Sequence, residues 1–382
     1  MSENRHSEEL ITAGVYTDRQ DRLRSVLRNK GLTGVALNPG PTLTYLTGLH
    51  FHLMERPVLF IVPVEGEPVL VLPELELAKT TSLSFSAKIL PYGEQPSTWP
   101  QVFQEAALAA NLADQYGVEP TRMRYLELHI LQAAAPTTRF LSAEESLAQL
   151  RMFKDSGEVN CMRKAVLIAQ QALVNTLPFI RHGITERELA AELTLQLLRQ
   201  GSDAEMPFTP IVAAGPNSAN PHASPTDRQL APGDLLVIDW GAGYQGYISD
   251  LTRTFALGKV EPELERIVAL VEAANAAGRA AAKPGQTAGA VDQAARNVIE
   301  QGGYGKYFTH RTGHGIGLEG HEPPYIRGDN EQLLKPGMTF TVEPGIYLTG
   351  RNGSRIEDDM LITQDGSQSL SDLPRQLQQL DL

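Results

Sequence analysis

The chain has 382 residues, of which 42% are hydrophobic and 20% charged, and this length predicts two globular domains. A formal net charge of −12 excludes a general nucleic-acid binder, because phosphate binding needs clustered Lys and Arg. The apolar runs are only strand-sized and the polar N-terminus has no apolar signal region, so we expect neither a membrane partner nor export. One cysteine, Cys161, excludes an intramolecular disulfide and a thiolate metal cluster, and we expect a cytoplasmic protein.

Residues 1–150 predict a smaller α/β domain. Its expected elements, in chain order, are a helix at 17–30, a strand at 34–40, a hairpin at 57–73, a helix at 100–114 and a strand at 123–128. No cluster of catalytic residue types occurs in this part of the sequence. His50 and His52 lie near Glu55, and a loop or dimer contact is a better interpretation of them than a metal site.

The chain becomes charged and helical at 141–158, and we place the domain boundary there, which makes residues 151–382 the second domain. Thr185 is the predicted N-cap of one of its helices, with Glu188 completing a capping box and Gly201 as C-cap. The helices expected in this domain are 156–177, 182–201, 262–282 and 286–303, and strands are expected at 208–215 and 234–241.

The second domain repeats itself in sequence. One half runs helix, GIT, helix and PGDLLVID, and the next runs helix, GQT, helix and PGMTFTVE. Asp239 and Glu343 each lie seven residues after the proline of these Pro-Gly pairs. A second acid follows on a strand-like segment in each half, Asp250 in the first and Glu357 in the second. Matching acids in two similar halves predict a pseudo-two-fold arrangement around one shared site.

A glycine string offers a rival interpretation of the first half. GAGYQG (241–246) follows a predicted strand and matches the dinucleotide fingerprint G-x-G-x-x-G, with an acid at Glu261. That fingerprint requires a helix to begin at the glycines, where it binds the pyrophosphate. Here the β-branched and aromatic segment YISDLTRTF follows, and the next helix begins only near Pro262. The glycines are therefore better explained as the turn of a hairpin.

Two hairpins would bring the acids together. Placing Asp239 opposite Asp250 centres the first turn between residues 244 and 245. The same operation on Glu343 and Glu357 centres the second turn on the first glycine of LTGRNGS. Opposed carboxylates repel one another, so two such pairs would destabilise the fold unless a strong cation compensates.

A histidine between glycines supplies a nitrogen donor. His314 lies in HRTGHGIGLEGHEPP, which also contains His310 and His321. Four carboxylates and one imidazole favour Mn²⁺ or a similar hard ion. They are too many for one divalent ion that keeps an open position, which indicates two ions about 3.5–4 Å apart. Taken singly, these side chains have ordinary structural explanations, but together with the repeat they favour a metal site. Asp358 should point away from this site, because neighbouring strand residues such as Glu357 and Asp358 face opposite sides.

Several segments resemble the M24 metallopeptidases, the pita-bread family. They are IVAAGPNSANPHA, IDWGAGYQGYISDLTRTF, GHGIGLEGHE, VEPGIY and SRIEDDMLIT, and the resemblance spans about residues 155–365. It implies an α+β fold in which a C-terminal pita-bread (creatinase/aminopeptidase) domain with an internal pseudo-two-fold repeat follows a smaller α/β creatinase-type N-terminal domain. This two-domain layout is typical of the Xaa-Pro branch, prolidase and aminopeptidase P.

The resemblance implies a role for individual positions. His222 and His321 match histidines that contact the substrate or stabilise the transition state, and Arg355 matches a supporting arginine near the substrate. Some prolidases bind the dipeptide carboxylate through an Arg four residues after the position of His321. Here that position is Tyr325 and the nearest arginine is Arg327, so both are candidate substrate contacts. The implied metal ligands are Asp239, Asp250, His314, Glu343 and Glu357, with Asp250 and Glu357 bridging two ions.

The predicted activity is hydrolysis of peptide bonds involving proline, as an Xaa-Pro dipeptidase or Xaa-Pro aminopeptidase. The bond before proline has no N–H, so peptidases that grip an extended backbone handle it poorly. A metal-bridging hydroxide would attack, with Glu343 handling the proton. Mn²⁺ is expected, with Co²⁺ or Zn²⁺ as alternatives, and the family suggests a homodimer.

Three other activities stay open. The chain could be an exopeptidase with another end-specificity, including selection of a C-terminal residue. It could also be a creatinase-like hydrolase that works without metal, or a binding module on the same fold. The complete ligand set argues against the last two.

Overall fold

The computed structural model describes residues 14–381. These residues form two compact units, 14–151 and 152–381. No helix within the described range is both long and apolar enough to cross a bilayer.

The first unit is built on a six-stranded mixed sheet with strand order β4-β3-β2-β1-β5-β6. Strands β1–β3 run antiparallel in sequence, whereas β5 and β6 add in parallel on one side and β4 on the other. Its elements are α1 (Val15–Asn29), β1 (Gly34–Leu37), α2 (Pro41–Thr47), β2 (Leu59–Pro63), β3 (Val69–Pro73), β4 (Lys88–Tyr92), α3 (Trp99–Ala109), β5 (Gln115–Val118), α4 (Tyr125–Ala134), β6 (Arg139–Ser142) and α5 (Glu144–Arg151), with 3-10 turns at Glu74–Ser82 and Pro96–Thr98.

One predicted element of this unit is wrong. Residues 123–128 were expected to form a strand, but the chain enters helix α4 at Tyr125. Ile130 and Leu131 are buried in the same apolar cluster as the sheet, while Tyr125 is exposed. The apolar residues therefore follow a helical period once HILQAAA is included, and the six residues used for the prediction were too few to show it.

The second unit consists of two similar halves. Its first half contains α6 (Ser156–Thr176), α7 (Glu186–Arg199), β7 (Ile211–Ala214), β8 (Leu235–Trp240), β9 (Gly243–Tyr244), β10 (Tyr247–Ile248) and β11 (Leu251–Leu257). Its second half contains α8 (Pro262–Ala281), α9 (Ala288–Gln301), β12 (Gly313–Gly315), β13 (Glu322–Ile326), β14 (Thr339–Val342), β15 (Gly345–Leu348), β16 (Asn352–Arg355), β17 (Asp358–Ile362), β18 (Ser367–Ser369) and β19 (Gln378–Leu380). 3-10 turns lie at Leu177–Phe179, Gly215–Ala219 and Gly305–Tyr307.

The halves match in detail. Thr185 caps α7 and Thr287 caps α9, each accepting a hydrogen bond from a first-turn backbone N–H, and Glu188 completes the predicted capping box. Gln200 rather than Gly201 is the C-cap of α7, and Gly201 follows it with φ 93°. Strand β8 lies between β7 and β11, and β14 lies between β12 and β17. The first helix pair packs on the first half-sheet, where Trp240 donates to the Ala169 carbonyl at 2.8 Å, and the second pair packs with strand residues of both halves.

The first hairpin has a different register from the one expected. Tyr244 pairs with Tyr247 and Asp239 with Thr252, so the turn residues are Gln245 and Gly246. Both have positive φ, 52° and 80°, which is the two-residue turn that matches the twist of paired strands. Asp239 and Asp250 therefore lie on the same face of the hairpin but are not directly opposite one another. Asp250 comes two residues before Thr252, the residue that pairs with Asp239.

The second hairpin has the expected register. Val342 pairs with Asp358 and Gly345 with Arg355, so Glu343 and Glu357 are opposite one another between these two ladders. The backbone N–H groups of both glutamates hydrogen-bond elsewhere: Glu343 donates to Thr312 and Glu357 donates to Thr252. The strands thus separate at the two acids, and both side chains lie where the two half-sheets meet.

Candidate metal centre

The five predicted ligands lie at strand ends of the second unit. Asp239 is in β8, Asp250 immediately precedes β11, His314 is in β12, Glu343 follows β14, and Glu357 precedes β17. Ligand atoms of Asp250, His314 and Glu357 lie within 4.8 Å of one another. The Nε2 atom of His314 is 3.8 Å from Asp250 Oδ2 and 3.4 Å from Glu343 Oε1. The two halves therefore contribute to one buried cluster.

The environment of His314 leaves one ring nitrogen facing the carboxylates. Its Nδ1 lies 3.2 Å from the Gly315 carbonyl, and its backbone N–H donates to Thr341 Oγ1 at 3.1 Å. Burial and the neighbouring His321 lower the pKa of His314 well below its usual value. A neutral ring with its proton on Nδ1 presents the Nε2 lone pair, which is the arrangement of a metal-binding histidine.

The carboxylates repel one another when no cation is bound. Burial raises the pKa of Asp250 and of Glu357 well above the usual values, and charges on neighbouring acids raise both further. Burial also raises the pKa of Glu343 to about 7. The Oδ1 atom of Asp239 is buried and accepts no hydrogen bond from residues 14–381. Clustered acids with an unused oxygen and an imidazole fit divalent cations, since unpaired buried charge is costly.

Arg355 connects the hairpins behind the cluster. Its Nη2 donates to Asp239 Oδ2 at 2.5 Å, its Nε to Thr252 Oγ1 at 3.2 Å, and its Nη1 to the Tyr347 hydroxyl at 2.8 Å. Thr252 Oγ1 in turn donates to Glu357 Oε2 at 2.6 Å. Because Arg355 is 3% exposed and its nitrogens are engaged, the geometry favours a role in holding Asp239 over the predicted substrate contact.

The two acids after Glu357 behave differently. Asp358 points away from the cluster and pairs with Arg253 at 2.9 Å and Arg375 at 2.7 Å. Burial alone would raise the pKa of Asp358, but these arginines lower it to about 2. Asp359 lies under the cluster, where its Oδ2 accepts a hydrogen bond from the Asp250 backbone N–H at 3.1 Å. Asp359, for which the sequence predicted no role, thus fixes the backbone of a candidate ligand.

Three predicted substrate contacts differ in position. The His321 ring lies 3.9 Å from the His314 ring, centroid to centroid. Burial, helped by the charge of Arg311, lowers the pKa of His321. His222 is exposed, and the carbonyl of the preceding Pro221 accepts a hydrogen bond from Arg355. Tyr325 is partly buried in β13.

The positive charge of Arg327 is already paired with a carboxylate. Arg327 is exposed and pairs with Asp329 at 2.7 Å. Arg311, for which the sequence predicted no role, is closer: its Nη2 lies 3.3 Å from His321 Nδ1, and its guanidinium covers the Tyr325 ring at 4.5 Å. The position of Arg311, three residues before the predicted ligand His314, was the sequence signal that could have identified it.

Paired helices on repeated half-sheets, with a buried Asp–His–Glu group where the half-sheets meet, define a pita-bread fold with a candidate metal site. Residues 160–364 match the sequence profile of Metallopeptidase family M24, and residues 19–153 match the Creatinase/Prolidase N-terminal domain. The chain belongs to metallopeptidase family M24.

Relatives and solved structures agree over nearly the whole length. A protein named "Probable dipeptidase PepE" from Mycobacterium tuberculosis is 36% identical over 96% of this chain and 96% of its own length. An Xaa-Pro dipeptidase from Lactobacillus delbrueckii subsp. lactis is 32% identical over 94% of this chain and 98% of its own. The crystal structure of a prolidase from Thermococcus sibiricus superposes with a TM-score of 0.90 at 32% identity, covering 96% of this chain and 99% of that one.

Proposed function

We propose that this chain is a dinuclear-metal exopeptidase that cleaves short peptides at the bond preceding proline. The observation that carries the proposal is the buried cluster of mutually repelling carboxylates around a neutral imidazole. Relatives named dipeptidase and Xaa-Pro dipeptidase support the substrate class. The proposed ligands are Asp239, Asp250, His314, Glu343 and Glu357.

Two divalent ions, for which Mn²⁺ is proposed, would supply a water of lowered pKa and polarise the scissile carbonyl when bound. Asp250 and Glu357, one from each half of the repeat and both buried, would hold the two ions jointly, as the M24 pattern implies. Arg355 and Thr252 hold the carboxylates of Asp239 and Glu357, so the donor set is ordered before any substrate arrives.

Glu343 is the proposed proton carrier. Its carboxylate, whose Oε1 lies 3.4 Å from His314 Nε2, would accept a proton from the water and pass it on. His321, next to His314, is the proposed donor to the substrate carbonyl or to the oxyanion that develops there. Burial lowers the pKa of His321, which favours a neutral donor. His222, whose charge also influences His321, is proposed as a second substrate contact.

We also propose that the domain boundary lies near residue 151, which assigns residues 1–150 to the N-terminal domain and 151–382 to the catalytic one. The division of the described residues at 151 and 152 supports it. The two family matches, which end at 153 and begin at 160, support the same boundary.

The test combines metal analysis with hydrolysis by full-length protein. Protein stripped by chelator should be inactive, and Mn²⁺ should restore cleavage of Ala-Pro and Met-Pro with about two ions bound per chain. Asp250→Asn should lose an ion and activity. Asp227→Asn is the matched control, because Asp227 is exposed and pairs with Arg187 on the surface. Full activity of Asp250→Asn with its metal content verified would overturn the ligand assignment.

The substrate panel separates the remaining alternatives. Cleavage of Ala-Pro but not of Ala-Pro-Ala identifies a dipeptidase, and release of the first alanine from Ala-Pro-Ala identifies an aminopeptidase. Release of the last residue identifies a carboxypeptidase-like enzyme. Activity in chelator favours a creatinase-like hydrolase, and no cleavage by Mn²⁺-loaded protein favours a binding module.

A further inference from the structure

Arg311 lies beside the candidate metal centre with its charge not neutralised. Its Nη2 is 3.3 Å from His321 Nδ1 and its guanidinium lies over the Tyr325 ring at 4.5 Å. Within the described range 14–381, no carboxylate forms an ion pair with it. An arginine stacked on an aromatic ring keeps the edge of its planar fork available for an anion.

The field of Arg311 reaches the cluster. Burial is the main cause of the lowered pKa of His314 and His321 and of the raised pKa of Glu343. The positive charge of Arg311 is a further influence on the pKa of each of these three groups. A guanidinium that affects all three lies near the place where a substrate carbonyl would bind.

The other positive charges near this place are already engaged. Arg355 donates to Asp239, Thr252 and the Tyr347 hydroxyl. Arg327 pairs with Asp329. Burial lowers the pKa of His310 to about 3, so this ring is neutral at pH 7. Among the described residues near the cluster, Arg311 is therefore the cation left for an incoming carboxylate.

The spacing suits a dipeptide. One residue of extended chain spans about 3.3–3.6 Å, so the C-terminal carboxylate of a dipeptide lies one residue beyond the scissile carbonyl. Arg311 is separated from the candidate ligand His314 by the single ring of His321, whose centroid is 3.9 Å from that of His314. A longer peptide would place a neutral amide carbonyl at the same position.

Building on the proposed function, we propose that Arg311 binds the free C-terminal carboxylate of the substrate and so selects dipeptides over longer peptides. Tyr325 is the platform that holds the guanidinium plane, and His321 limits its rotation. Arg311 is thus a specificity-determining residue that takes no part in proton transfer.

The test compares Ala-Pro with Ala-prolinamide, which differ only in the carboxylate. Mn²⁺-loaded wild type should prefer Ala-Pro by roughly 10- to 100-fold in kcat/KM, as expected for hydrogen bonds to a charged group. Arg311→Gln should lose that preference by reacting more slowly with Ala-Pro alone, and Arg311→Lys should keep part of it. Arg266→Gln is the matched control, because Arg266 stacks at 5.8 Å on Tyr304 outside the site.

A binding measurement separates this proposal from the proposed function. Calorimetry should show that wild type binds proline more tightly than prolinamide and that Arg311→Gln removes the difference. Equal losses on both substrates in Arg311→Gln, with unchanged proline binding, would overturn the proposal and make Arg311 a positioning residue for His321. Absence of turnover by Mn²⁺-loaded wild type would instead overturn the proposed function, and calorimetry would still decide the role of Arg311.

Discussion

Arg355→Met should destabilise the second unit strongly when no metal is bound. The guanidinium holds Asp239 at 2.5 Å and also bonds Thr252 and the Tyr347 hydroxyl. The side chains of Arg355 and Asp239 are 4% and 11% exposed, so water cannot replace the lost partner. Methionine fills a similar volume without donating a hydrogen bond, which leaves the Asp239 carboxylate buried and unpaired.

The expected cost is about 3–5 kcal/mol, because removing one partner of a buried ion pair leaves the other charge uncompensated. Mn²⁺ should recover part of this loss, since a bound cation neutralises Asp239. The metal-induced increase in the unfolding midpoint should therefore be larger in the variant than in wild type.

Urea unfolding can be followed at the site itself. The chain has two tryptophans, so a Trp99→Phe background leaves only Trp240, the residue next to Asp239, to report. Arg351→Met is the matched control on the same hairpin, because Arg351 forms only exposed pairs with Glu261 and Glu263 and should change stability by less than about 1 kcal/mol. Equal midpoints for the two variants would show that Asp239 does not depend on Arg355 for its charge compensation.

Three further predictions concern the surroundings of the cluster. Thr252→Val removes the hydroxyl that orients Glu357 and should weaken Mn²⁺ binding about 10- to 100-fold in a metal titration. It should also cost about 1–3 kcal/mol of metal-free stability, because Arg355 Nε and Glu357 Oε2 both lose a buried partner. Metal-free wild type should lose stability relative to Glu343→Gln as pH rises from 5 to 8. Burial raises the pKa of Glu343 from 4.5 in the unfolded chain to about 7 in the folded one. The stability that the protonated side chain contributes is therefore complete below pH 4.5 and is lost as the pH rises through about 7. Lys154→Met removes the buried cation paired with Glu322 and should cost about 3–5 kcal/mol.

Each of these has a contrary result. Unchanged Mn²⁺ affinity in Thr252→Val would show that the Thr252 hydroxyl does not orient Glu357 for metal binding. A stability difference between wild type and Glu343→Gln that stays constant from pH 5 to 8 would show that the pKa of Glu343 is not raised in the folded state. Lys154→Met as stable as wild type would mean that the pair with Glu322 contributes nothing net. Lys164→Met, an exposed lysine in α6, is the control for the last case.

The repeat was the most reliable guide in the sequence. Two Pro-Gly pairs and two threonine caps lie at matching places, and both halves fold as helix pairs on half-sheets. Matching acids in such a repeat must meet near the pseudo-symmetry axis. The second hairpin was predicted in its correct register because its turn is centred on Gly350, whose φ is 77°.

The first hairpin shows where pattern reasoning loses accuracy. Gly243 and Gly246 flank two candidate turns, and the sequence does not show which neighbour will adopt positive φ. Gln245 does so, with φ 52°, which moves the register by two residues. Asp239 therefore pairs with Thr252, and the Thr252 hydroxyl orients Glu357. The expected pairing of Asp239 with Asp250 gave no reason to predict this role for Thr252.

Arg311 and Arg355 could not be distinguished from sequence alone. Both are arginines within a few residues of a predicted ligand. Arg355 is buried and its nitrogens donate hydrogen bonds. Arg311 lies over the Tyr325 ring without an acidic partner in the described part of the chain. Whether a cation is neutralised depends on residues far away in sequence, and only the folded chain brings those together.

The most direct test of the account is anomalous diffraction from crystals grown with Mn²⁺. The account predicts two manganese peaks about 3.5–4 Å apart, with the carboxylates of Asp250 and Glu357 contacting both ions and His314 contacting one. A single peak, or peaks that lie away from Asp250 and Glu357, would contradict it.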